Sequence, residues 1–173
     1  MTATLTEPDR AAIRAQIGRR PRDLVAVAHR CACGNPDVVA TAPRLADGSP
    51  FPTFYYLTCP RAASAVGTLE ASGLMQDMTR RLADDPELRL RYERAHAAYL
   101  RDRAQWGDVP EIAETSAGGM PSRVKCLHAL VAQSLACGPG VNPFGDDALA
   151  QLPDWGAGGP CTGRAGSVED EER

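Results

Sequence analysis

The sequence predicts an α+β domain, a small three-stranded antiparallel sheet covered by several helices, with a disordered C-terminal tail. Three observations predict it. Short runs rich in β-branched and aromatic residues, divided by turn signals, fill residues 24–59. Apolar residues at helical spacing, opened by capping residues or proline, fill 6–18 and most of 60–152. Residues 156–173 (GAGGPCTGRAGSVEDEER) hold five glycines, four acids near the end and almost nothing to bury. With 173 residues and 43% hydrophobic positions, the chain has material for one core and one domain. The boundaries are therefore a single domain over 1–155 and a disordered tail over 156–173.

The elements follow in order. Thr6 caps a first helix with Pro8 in its first turn and Gly18 as its stop. Residues 24–31 (LVAVAHRC) form a first strand, the CGNP turn at 33–36 reverses the chain, and 38–41 form a second strand. Asp47 and Gly48 signal another turn before a third strand over 51–59 (FPTFYYLTC). Strands one and three of such a meander end at the same edge of the sheet, which brings the strand-terminal Cys31 and Cys59 to one side. With the second strand between them they stand about 10 Å apart, two strand spacings; a direct pairing of strands one and three would make them neighbours.

Pro60 starts a helix over 61–71 that Gly73 ends. A short second helix carries Leu74, Met75, Met78 and Leu82, and Asp85 with Pro86 opens a long third that reaches about Trp106. Its stripe is Leu88, Tyr92, Ala95 and Tyr99. His96 on that helix reads as a plain packed or surface histidine. A further helix starts after Gly118 and Gly119, with Pro121 in its first turn, and runs to Cys137; GPGVNPFGD at 138–146 turns the chain into a short last helix.

Composition narrows the function. The net charge of −3 gives no footprint for nucleic acid, and no apolar run approaches the roughly 18 residues a membrane span needs. The N-terminal sequence carries no charged start followed by an apolar stretch, so the expected location is the cytoplasm. In a reducing compartment the six cysteines serve packing, metal ligation or reactivity rather than disulfides.

Two sites compete for those residues. The first is a metal site of Cys31, Cys33, Cys59 and Cys126, with His128 as a substitute ligand. Thiolates select zinc or an iron-sulfur cluster, and Cys59 followed by Pro60 resembles the end of a cluster-ligand run. On one continuous helix Cys126 and His128 would be about 200° apart, so they are alternatives unless the helix begins later. The same rotation disfavours Cys126 and His128 as nucleophile and base. The second site is for an anion, such as a phosphate-bearing small molecule, at the start of the helix. The glycine pair lets backbone approach, Ser122 donates, and Arg123, Lys125 and His128 supply charge or protons, with Arg44 and Arg61 at the rim. Lys125 is the only lysine among the 19 basic residues. Cys137 and Cys161 read as packing and incidental cysteines.

RCACGNP at 30–36, DGSPFPTFYYLTCP at 47–60, and AGGMPSRVKCLH with GVNPFGD behind it resemble a bacterial family known as domain of unknown function 501. The resemblance covers roughly residues 5–152, and Cys31, Cys59, Cys126 and His128 match its motif positions. It implies no activity. The expected function is a cysteine-ligated metal site beside an anion-binding helix start. The alternative is a non-catalytic adaptor in which the cysteines only pack and the Arg-rich helix 86–106 binds a protein partner.

Overall fold

The computed structural model describes residues 2–162. Helix α1 (Glu7–Ile17) precedes strands β1 (Leu24–Arg30), β2 (Pro36–Thr41) and β3 (Tyr55–Leu57). Five helices follow: α2 (Pro60–Ala71), α3 (Leu74–Asp84), α4 (Pro86–Ala104), α5 (Leu127–Cys137) and α6 (Pro143–Leu149). The predicted α+β architecture is the one observed.

The sheet runs β1-β2-β3 with both pairings antiparallel. β2 is buried along its whole length because both of its faces are covered. Ala26, Ala28, Val38, Ala40, Tyr55 and Leu57 belong to the core shared with α2 to α6. Val39, Thr41, Tyr56 and Thr58 lie on the opposite face with Ile13 and Ile17 of α1. β3 is shorter than the expected 51–59, since Pro52 has no N–H for the ladder and pairing reaches only Tyr55 to Leu57. With β2 central, Cys31 and Cys59 are separated by it, the wider of the two predicted spacings.

α1 begins with a reciprocal cap: the Asp9 N–H donates to Thr6 Oγ1, and the Thr6 N–H donates back to the Asp9 carboxylate. Gly18 ends it in the left-handed region at φ 67°. α4 buries the predicted stripe of Leu88, Tyr92, Ala95 and Tyr99 and adds Arg103. The Arg103 guanidinium donates to the carbonyls of Pro52, Ile112 and Thr115, so the charge buried beneath the loop is met by three backbone acceptors. Behind α5, Asn142 is fully buried. It caps α6, donates to Gln133 Oε1 at 2.8 Å, and Gln133 in turn donates to the Ala95 carbonyl at 2.8 Å. The turn-dense 138–146 segment therefore ties α4, α5 and α6 together.

One helix start differs from expectation. α5 begins at Leu127, after Cys126, and residues 121–126 form an irregular loop preceded by a cis bond between Met120 and Pro121. The loop folds back on Gly118, whose carbonyl accepts from the N–H groups of Lys125 at 2.7 Å and Cys126 at 3.3 Å. Gly118 and Gly119 adopt φ 69° and 91°. A Cβ on Gly118 would lie 2.5 Å from Leu130 Cδ2, and one on Gly119 would lie 2.7 Å from the Arg123 carbonyl. The glycine pair thus admits the protein's own chain at the place where a ligand was expected.

Residues 156–162, predicted to open a disordered tail, instead lie against the Pro36 end of the sheet. Arg61 donates to the carbonyls of Gly159 at 2.8 Å and Pro160 at 3.1 Å. The rest of that predicted tail, 163–173, lies outside the described residues.

Candidate functional site

Two groups of polar side chains stand out, and they divide the predicted metal ligands between them. The first lies at the sheet end where β1 stops and α2 starts. Cys31 closes β1; its N–H donates to the Asn35 carbonyl and its carbonyl accepts from Gly34, giving a tight turn that presents Cys33 two residues on. Gly34 takes φ 87° to make that turn. Cys59 is the N-cap of α2 and fully buried. Cys161 arrives with the C-terminal segment, its Sγ 3.6 Å from Cys33 Sγ. Gln16 Nε2 donates to the same sulfur at 3.3 Å and Asn35 Nδ2 at 3.7 Å.

These thiols act on one another. Burial pushes the Cys31 thiol up to about 11, with the neighbouring Cys33 adding to the rise. For Cys33 burial also raises, but backbone N–H donors at Cys161 and Asn35 and the thiols of Cys31 and Cys161 outweigh it and bring it down to about 7. Burial raises Cys59 as well, against the N–H groups of Ala62 and Arg61 at the start of α2. Asp37 Oδ2 and Gln16 Oε1, both beside this group, are buried without a hydrogen-bond partner among the described residues.

The second group joins α2 to α5. Glu70 from the last turn of α2, Cys126 and His128 each place one ligand atom within 4.8 Å of the others. Because Cys126 is the extended N-cap of α5 at φ −149°, the 200° separation of a continuous helix does not apply. Sequence reasoning made Cys126 and His128 alternatives, and the later helix start makes them partners. His128 Nδ1 is 3.1 Å from Glu70 Oε1, and His128 Nε2 is 3.1 Å from the Ala63 carbonyl. Glu70 Oε1 also accepts the Leu127 N–H at 2.7 Å. With an acceptor at each ring nitrogen the imidazolium is favoured: Cys126 first, then Glu70, raises His128 to about 9 against the effect of burial. Burial raises the Glu70 carboxyl, but His128 and the Leu127 N–H bring it below its ordinary range. All three residues are only partly buried.

The predicted anion ligands do not gather. Ser122, Arg123 and Lys125 are exposed on the loop before α5 rather than in a helical turn, so Lys125 and His128 do not share a helix face. Arg44 lies beyond the Thr41 end of β2, paired with Glu111 at 2.7 Å and bonded to the Gly48 carbonyl at 2.8 Å. The free N–H of the α5 start is met by Glu70, so the chain supplies its own anion there. His96 hydrogen-bonds Ser116 at 2.8 Å, and Cys137 packs 3.6 Å from the Tyr55 hydroxyl and from Asp102.

Two residues were missed. Glu70 is the only acid of α2, PRAASAVGTLEA, and an isolated carboxylate in so apolar a helix was the available signal. Cys161 sits in PCTG, the same small-residue turn chemistry as the CACG that presents Cys31 and Cys33.

Fold and side chains together define a small α+β protein with two thiol-containing polar groups, one at each end of α2. A family model described as "Protein of unknown function (DUF501)" matches residues 27–150, and the chain belongs to that family. The match contains every residue of the Glu70 group and stops short of Cys161. No curated protein and no solved structure matches the chain. Among the described residues no helix is long and apolar enough to cross a membrane.

Proposed function

We propose that this protein is a metalloprotein whose working centre is formed by Glu70, Cys126 and His128, with the metal, zinc by its donor set, held by one oxygen, one sulfur and one nitrogen. The observation that supports it is the convergence of three different ligand types within 4.8 Å, already backed by a second layer of hydrogen bonds. With Nδ1 on the metal, the Nε2–H donates to the Ala63 carbonyl, and Glu70 is oriented by the Leu127 N–H. Metal-binding histidines and carboxylates are commonly fixed in this way. Three protein ligands leave a fourth position open, which is the pattern of a catalytic rather than a purely structural zinc site.

Such a centre polarises a bound oxygen or lowers the pKa of its water to about 7, so the reaction class it serves is hydrolysis or hydration. The loop leading to Cys126 is basic, with Arg123 and Lys125 exposed on it, and a phosphate-bearing ligand is the kind of anion such a loop would favour. A thiol and imidazole acting without metal is less well supported. The Nε2–H is committed to Ala63 and Nδ1 faces Glu70, so no neutral nitrogen is left as base.

The test is metal content and cobalt substitution of the full chain. The Cys126→Ser and His128→Ala variants should each lose one equivalent of metal, together with a sulfur-to-cobalt charge-transfer band. Wild-type metal content in both variants would refute the centre.

A further inference from the structure

Cys33 and Cys161 are 128 residues apart in sequence, yet their sulfurs stand 3.6 Å from each other at the Pro36 end of the sheet. We propose that this pair is a redox-active dithiol, oxidised by a peroxide to a reversible disulfide that fastens the C-terminal segment across the end of the sheet. The pair shares no residue with the Glu70, Cys126 and His128 centre, so either reading can fail without the other.

Contacts on both sides hold the two sulfurs together. Cys33 is presented by a closed turn, in which the Cys31 N–H donates to the Asn35 carbonyl at 3.0 Å and the Gly34 N–H to the Cys31 carbonyl at 2.8 Å. Cys161 is anchored before and after. Arg61 donates to the carbonyls of Gly159 and Pro160, and Asn35 Nδ2 donates to Thr162 Oγ1 at 3.2 Å. Asn35 belongs to the turn that presents Cys33, so the same residue ties that turn to the arriving segment. Gln16 Nε2, itself bonded to the Pro36 carbonyl at 2.6 Å, donates to Cys161 Sγ at 3.3 Å, and Asn35 Nδ2 lies 3.7 Å from the same sulfur.

The two sulfurs are about 1.6 Å farther apart than a disulfide bond of about 2.0 Å. Residues 156–162 read GAGGPCT, and a slight shift of so small-featured a segment closes that gap. Access separates this pair from its neighbours: Cys33 and Cys161 are only partly buried, whereas Cys31 and Cys59 are buried.

The chemistry balances without a metal. Burial raises the Cys33 thiol, but the N–H donors at Cys161 and Asn35 outweigh it and bring it down to about 7, so Cys33 is the sulfur that attacks. Its thiolate bonds to one peroxide oxygen, the O–O bond breaks, and the departing oxygen takes up the proton Cys33 released. The product is a sulfenic acid on Cys33. The Cys161 thiol then attacks that sulfur, the S–O bond breaks, and the Cys161 proton leaves with the oxygen as water. In sum, two thiols give up two electrons and two protons, and hydrogen peroxide becomes two waters. A dithiol reductant reverses the link by exchange and is itself oxidised to a disulfide.

The experiment uses the full chain, reduced, freed of reductant and given an equivalent of hydrogen peroxide. Peptide mapping without reductant should find the Cys33 and Cys161 peptides joined within one chain, and dithiothreitol should part them. That readout needs no variant to fold. Proteolysis after Asp154 should slow about tenfold on oxidation and recover on reduction. Cys161→Ser should leave a Cys33 sulfenic acid that dimedone captures, while Cys137→Ser should link as the unmutated chain does. Pairing of Cys33 or Cys161 with any other cysteine, links between chains only, a Cys33 thiol untouched by peroxide, or proteolysis indifferent to the link would each overturn the proposal.

Discussion

Replacing Gly118 by alanine tests whether the glycine pair before α5 exists for a ligand or for the chain itself. At φ 69° an alanine pays the left-handed penalty of about 1 to 2 kcal/mol. Its Cβ also arrives 2.5 Å from Leu130 Cδ2, 3.1 Å from Leu130 Cγ and 3.2 Å from the Cys126 carbonyl. Leu130 is fully buried in the core cluster and cannot swing into solvent, so overpacking adds about 1 to 3 kcal/mol. The two together give about 2 to 5 kcal/mol. For a chain of this size that lowers Tm by roughly 5 to 15 °C. Urea and thermal unfolding read the loss directly. Because the Cys126 carbonyl is one of the atoms struck, the cap of α5 must shift, and any metal held by Cys126 and His128 should bind more weakly in the same variant. A Gly118→Ala protein within 0.5 kcal/mol of wild type would refute the reading that this glycine admits the chain's own backbone and side chains.

Asp9→Asn removes the pair with Arg30, whose two nitrogens lie 2.7 Å and 3.0 Å from the carboxylate. Arg30 chiefly, helped by Thr6, holds Asp9 down to about 2, below its unfolded value near 4. The pair therefore stabilises fully above pH 4 and is lost as pH falls toward 2. With Arg30 partly exposed, the variant should cost about 1 to 2 kcal/mol at pH 7 and flatten the stability profile between pH 4 and 2; an unchanged profile would remove the pair from the account. Asn142→Ala deletes a buried cap and strands Gln133 Oε1, so denaturant unfolding should show a loss of about 2 to 4 kcal/mol. Arg61→Ala should leave the unfolding midpoint nearly unchanged while speeding proteolysis after Asp154, because its bonds hold only Gly159 and Pro160.

Much of the fold was legible because its signals are local. Thr6, Gly18, Pro60, Gly73 and Asp85 each mark a helix boundary through the chemistry of a single residue. The three strands were legible from their turn signals, but their order was not: the sequence left β3 free to pair with β1 or to lie beyond β2, and the structure sets β2 between them. The start of α5 was not legible: Pro121 and the apolar spacing from Val124 both favour helix, and what defers it is a tertiary bond set, Lys125 and Cys126 to the Gly118 carbonyl. That delay of a few residues changes which side chains meet. Read as helix, Cys126 and His128 diverge; read as cap and second helical residue, they converge on Glu70. Cys161 was hidden for another reason: disorder was inferred from glycine content and charge, and no local rule reports that Arg61 and a group of thiols wait for the segment some hundred residues earlier.

α2 gives the two groups their relation. Cys59 caps its N-terminus and Glu70 stands in its last turn, eleven residues on, so at 1.5 Å per residue the groups are about 16 Å apart along one rod. The ends of that rod carry opposite partial charges. At the Cys59 end burial raises the thiol, and the free N–H groups of Ala62 and Arg61 offset only part of that rise. A carboxylate at the Glu70 end is disfavoured by its own helix and must find positive partners elsewhere. It finds them at the N-terminus of α5, in the Leu127 N–H and in His128. The Glu70 side chain thus reaches from α2 to the start of α5, and the same contacts set it beside Cys126 and His128. A neutral glutamine could keep the Leu127 bond but would lose the pull on the imidazolium. The position calls for an acid whether the group holds a metal or only itself.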